Sequence, residues 1–84
     1  MNFRPGPSLT MNNAQTALEA GLRAIAGGQD SIDLGGVASV DSAAVATLLA
    51  WRRAAHALGK KLIFRDVPLN LQGLISLYGV DALL

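Results

Sequence analysis

The chain has 84 residues, of which 51% are apolar and 15% charged, with no cysteine and a formal net charge of +1. That length holds one domain, which buries roughly 60–65% of the surface its unfolded chain exposes. The missing cysteines exclude a disulfide framework, a thiolate metal site and a cysteine nucleophile, and the near-neutral charge gives no global attraction to nucleic acid.

Charged residues fall well below the ~25% of an average domain. Part of the apolar surface is therefore expected to be covered by something else, although alanine accounts for some of the excess. Five of the seven basic residues lie between Arg52 and Arg65, a pattern that reads first as cations at a helix C-terminus and a solvated turn. The longest apolar stretch, Ala43 to Trp51, is interrupted by Thr47 and runs into Arg52-Arg53, short of the ~18 residues a membrane span needs. The start, MNFRPGPSLT, lacks the apolar core of a secretory signal. A cytoplasmic location without direct membrane insertion is the expectation.

Pro5 and Pro7 cannot donate to a sheet ladder, so residues 1–8 read as an irregular or edge lead-in. Ser8 to Met11 can form a short strand, and Asn12-Asn13 offers a helix cap. A helix is predicted from about Ala14 to Ala26, with Ala14, Ala17, Leu18, Gly21, Leu22 and Ile25 on one stripe. Its Gln15, Glu19 and Arg23 lie four apart on the other side. Gly21 marks an expected close approach to the sheet, and Gly27-Gly28 ends the helix. A buried strand, Ser31 to Leu34, turns through Gly35-Gly36 and residues 37–40 into a central helix from Ser42 to about Leu58. Lys61 to Phe64 reads as a second buried strand and Arg65 to Pro68 as a turn. A third helix follows from Leu69 to Tyr78, with Leu71, Leu74, Ile75 and Tyr78 inward. Val80 to Leu84 is an apolar tail able to add an edge strand. Alternation of this kind predicts an α/β fold with parallel strands and right-handed crossovers.

On the central helix, steps of 100° place Ala44, Val45, Leu48, Arg52 and Ala55 toward the sheet, with the Arg52 stem along its edge. Ala43, Ala46, Ala50, Arg53 and Ala57 lie opposite, with Ser42 near their end and Leu49 and Trp51 on the margins. Such an alanine face is flat enough for docking. It is equally what the strongest helix former produces. A marginal tryptophan would serve as an interface anchor or as core.

Little else carries chemistry. His56 is the only histidine and sits in the last helical turn; no acids have metal spacing, and no phosphate loop is present. Asp30 and Asp33 belong to a strand and its flank, Asp66 and Asp81 to turns. No catalytic residue, metal or cofactor is expected. Asp41 and Ser42 remain. One of them caps the central helix, and Ser42 is also a candidate contact or phosphorylation point, where a phosphate would meet a helix N-terminus.

The run Ile32-Asp33-Leu34, then Val37, then Val40-Asp41-Ser42-Ala43-Ala44-Val45, resembles the signature of STAS domains, shared by sulfate transporters and anti-sigma-factor antagonists. Leu71, Leu74, Leu77-Tyr78-Gly79-Val80 and Leu83-Leu84 resemble that family's third helix and closing segment. The likeness runs from about Leu9 to Leu84 and is greatest to small MlaB-type STAS proteins. It implies a single STAS domain over 1–84: an α/β fold of about four mostly parallel strands, with a short N-terminal edge and three helices packed on the sheet. It also implies no catalysis. Two departures stand out. The family's opening hairpin is shortened here, leaving an edge that a neighbouring copy could complete in a homodimer, and the small pair after the serine, often glycine-containing, is Ala43-Ala44.

By this resemblance the chain is an accessory subunit of an Mla-type phospholipid-transport ABC complex, which serves outer-membrane lipid asymmetry. It would bind the ATPase subunit, and through it a permease, and so lie at the inner membrane through its partner. The expected contact residues are Asp41, Ser42, Ala43, Ala46, Leu49, Ala50 and Arg53. The alternative is an anti-sigma-factor antagonist regulated by phosphorylation of Ser42.

Overall fold

The computed structural model describes residues 3–80. The order is β1 (Ser8–Leu9), α1 (Ala14–Ala26), β2 (Ser31–Asp33), β3 (Ser39–Val40), α2 (Ser42–Ala57), β4 (Ile63–Arg65) and α3 (Leu69–Leu77). Three helices and short parallel strands make the expected α/β, STAS-like architecture. The edge strand expected within Val80 to Leu84, and the Leu83-Leu84 part of the resemblance, extend outside the described residues.

The strands form two small parallel sheets, β1 with β3 and β2 with β4. Ser31, Ile32 and Asp33 pair with Ile63, Phe64 and Arg65. On the other edge of β2, Ile32 forms a parallel bridge with Phe3. Further along, Ser8 and Leu9 pair with Ser39 and Val40. The segment from Phe3 to Leu9 is thus an edge lane beside the β2–β3 stretch. Its carbonyls do the bonding: Phe3 O accepts from Asp33 N (2.8 Å), and Pro7 O from Ala38 N (2.7 Å). Prolines keep an acceptor while lacking a donor, which is why this sequence suits an edge.

β3 was read from sequence as part of a turn. The turn itself is confined to 34–37, where Val37 N donates to Leu34 O (3.1 Å) and Asp33 Oδ1 accepts from Gly35 N (2.8 Å). β4 begins two residues later than the predicted Lys61 to Phe64 run and ends one later, so Arg65 belongs to the strand. Leu62 is buried, whereas Ile63 is 46% exposed; successive side chains of a strand face opposite ways, and only one face is covered.

The core joins Leu9, Ile25, Ile32, Leu34, Leu48, Trp51, Leu62 and Leu71, all nearly inaccessible. Ala44, Val45, Leu48 and Ala55 of α2 are buried in it as the helical steps predict. Arg52 is half-buried, its guanidinium 5.1 Å from the centre of the Phe64 ring on β4. Trp51 is not marginal. It is fully buried, donates from Nε1 to Leu18 O of α1 (3.1 Å), and meets the Phe3 ring edge-on at 5.7 Å. Gly21 faces this indole rather than the sheet: a Cβ there would lie 2.7 Å from Trp51 Cζ2. Tyr78, expected inward, is 52% exposed. It is the residue after the last turn of α3, so the helical stripe no longer aims it.

Candidate docking face

Every helix here follows a parallel strand, so all three helix N-termini gather at one end of the sheet, where ligand and partner sites of α/β folds collect. Ser42 is exposed there, and its hydroxyl makes no hydrogen bond among the described residues. Asp41 is the cap. Its backbone is extended (φ −143°, ψ −167°) and its Oδ1 accepts from Ala43 N at 2.9 Å, satisfying one of the donors a helix start leaves open. Oδ2 accepts from Met11 N at 3.0 Å, which ties the β1–α1 loop to α2. Both carboxylate oxygens of Asp41 are therefore engaged within the fold.

That loop is organised by Asn13. Its Oδ1 accepts from Thr10 N (2.8 Å) and its Nδ2 donates to Ser8 O (2.6 Å). Asn13 precedes α1 but makes no side-chain cap bond to it. On α1, Glu19 takes a hydrogen bond from Gln15 (3.0 Å).

Along α2 the remaining sequence-predicted positions divide. Ala46 and Arg53 are exposed; Ala43, Leu49 and Ala50 are half-buried, with Leu49 packed on the core. Ala43 and Ala46 do not stand on an isolated helix face. With Thr47 they form one wall of a groove of about 160 Å³ whose other wall is Ala14, Gln15 and Leu18 of α1. Thr47 is buried and satisfied, donating to Ala43 O (2.7 Å). The small side chains thus serve a seam between two helices, into which a partner's side chain could reach.

Two exposed apolar residues belong to the same end and were missed from sequence. Met11 is 78% and Leu69 83% exposed. Met11 is joined to Asp41 through its backbone, and Leu69 begins α3, where the next residue, Asn70, donates to Ala38 O (3.0 Å). A usable signal existed: an apolar residue in a loop or first helical turn after a parallel strand has no core to enter.

Among the described residues no group of acids and histidine could hold a metal, and no helix is long and apolar enough to cross a membrane. No curated protein and no solved structure matches the chain significantly. A family model described as "Mlab, STAS domain" matches residues 8–84. That span takes in the strand, the Asp41 cap, the exposed Ser42 and the whole of α2 and α3; the chain belongs to the STAS domain family, of the MlaB type.

Proposed function

We propose that this STAS domain is a non-enzymatic accessory subunit that docks on the ATPase of an Mla-type phospholipid-transport ABC complex, supports its assembly or activity, and reaches the inner membrane and the permease through it. The family is generally non-catalytic. The observation that carries the docking reading is Ser42: an exposed hydroxyl with no partner among the described residues, beside a cap that Asp41 already supplies and above the small-residue seam of Ala43 and Ala46. The contact would run from Ser42 along Ala46 and Ala50 to Arg53, with Met11 and Leu69 widening it at the sheet end. Asp41 contributes by holding this surface in shape, and Leu49 by supporting it from below.

Affinity purification of the tagged chain from its own cells is expected to bring down an ABC ATPase. Ser42→Glu places a charge on the docking surface and is expected to weaken binding to that ATPase at least about tenfold, which like-charge or desolvation penalties of ~1.4 kcal/mol or more produce. Unchanged affinity removes Ser42 from the contact.

The same exposed serine favours one second reading, an anti-sigma-factor antagonist whose Ser42 is phosphorylated. A phosphate at the start of α2 meets the positive end of the helix. Co-purification of a serine kinase, with a mass increase of one phosphate lost in Ser42→Ala, would select that reading. In either case the edge lane at Phe3 to Leu9 is a candidate surface for a homodimer, read out by the mass of the chain in solution.

A further inference from the structure

The α2 residues Leu48 and Arg52 border a cavity of about 500 Å³ that opens between α2, β4 and α3. It uses none of Ser42, Ala46, Ala50 or Arg53. Phe64, Val67 and Ile75 give it an apolar wall, with the buried Leu48 and Leu62 behind them, and the charged side chains lining it among the described residues, Arg52 and Lys61, are both cationic. A second cavity of about 330 Å³ shares Arg52, Lys61 and Leu62 and adds His56 and Lys60. Among the described residues no carboxylate lines either one.

Arg52 is held but not satisfied. Its guanidinium lies over the Phe64 ring and makes no hydrogen bond or ion pair among the described residues. Nε is buried with no hydrogen-bond partner among the described residues, whose ion pair is Arg4 with Asp33, elsewhere in the fold. A buried cationic donor without an acceptor is costly, and here it borders an apolar space of the size that small ligands occupy, roughly 300–1,000 Å³.

We propose that this cavity binds an anionic amphiphile with a single acyl chain, its carboxylate or phosphate head on Arg52 and Lys61 and its chain along Phe64, Val67 and Ile75. A planar guanidinium without an acceptor among the described residues suits an oxyanion, and the apolar walls suit hydrocarbon. A free fatty acid and a lysophospholipid share this chemistry. The proposal stands independently of the docking reading, because the two surfaces have no residue in common.

The test is a titration of the full ¹⁵N-labelled chain with decanoate, decyl phosphate, decanol and decyltrimethylammonium. Saturable amide shifts are expected at residues 62–67 and 75–76 with the two anions. Decanol should bind about tenfold or more weakly, the cost of an unanswered charged donor, and the cation more weakly still. Tighter binding of decanoate would point to a fatty acid, and of decyl phosphate to a lysophospholipid head. Arg52→Met should lower affinity for the preferred anion by about tenfold and leave decanol unchanged. Arg23→Met on α1 should change nothing. If Arg52→Met fails to fold by circular dichroism, Lys61→Met should show the same loss of anion preference and Ile75→Trp, which fills the cavity, should abolish binding. Equal affinity for decanol and the anions, absence of saturable shifts, or shifts centred on Met11 and Ser42 would overturn the proposal.

Discussion

At the start of α2 two neighbouring residues divide the chemistry. Asp41 caps the helix with one oxygen and anchors Met11 with the other, while Ser42 points its hydroxyl outward. Asp41→Ala is therefore expected to cost about 1–2 kcal/mol, the range of a lost cap. Ser42→Ala should stay within about 0.5 kcal/mol, as for a surface change. Urea unfolding followed by circular dichroism separates them; the reverse order would put the cap on Ser42. The sequence offered both residues for the role and could not choose. A cap is decided by which residue holds the extended backbone before the first helical turn, and here the choice is reinforced by a contact to a loop 30 residues away.

Helix pairing depends on one close approach. Gly21 of α1 lies under the Trp51 indole, which also donates to Leu18 O. Replacing glycine by alanine within a helix ordinarily gains up to ~1 kcal/mol. At Gly21 the added methyl has no room, and Gly21→Ala should instead destabilise by about 1–3 kcal/mol through overpacking. Gly73, inside α3, is the contrast: a Cβ there would meet nothing within 4 Å, so Gly73→Ala should stabilise by about 0.5–1 kcal/mol. Chemical denaturation of the two variants should show opposite signs. The α1 stripe made Gly21 legible as a contact. Its partner was not legible, because periodicity tells which face is inward and not which element covers it.

Across the whole molecule, the proline-bearing lead-in completes both the sheet edge and the core. Phe3 bridges Ile32 and covers Trp51 edge-on. Phe3 is only half-buried, so Phe3→Ala should cost about 2 kcal/mol, less than the 3–5 kcal/mol of a fully buried phenylalanine. Trp51 is the sole tryptophan, so losing that cover should also shift its fluorescence emission to longer wavelength in the folded protein. An unchanged spectrum and stability would mean that the edge lane contributes nothing to the core. The same scale explains the candidate docking face. Parallel strands bring Met11, Ser42 and Leu69 to one end of the sheet although they are far apart in the chain, and only the ladder pairing between β1 and β3 and between β2 and β4 does so.

The local patterns of the sequence determined the three helices, the alternating order, the buried face of α2 and the family, because these follow from 3.6-residue periodicity, glycine and proline punctuation, and a short motif around Asp41-Ser42. The tertiary structure alone decided four further things: that Trp51 is core, that the alanines of α2 belong to a seam with α1, that β3 exists as a strand, and that Arg52 borders a cavity with an unanswered donor. Each of these depends on what lies across from a residue in space. β3 makes the reason plain, since Ser39-Val40 is a strand only because Ser8-Leu9 lies beside it.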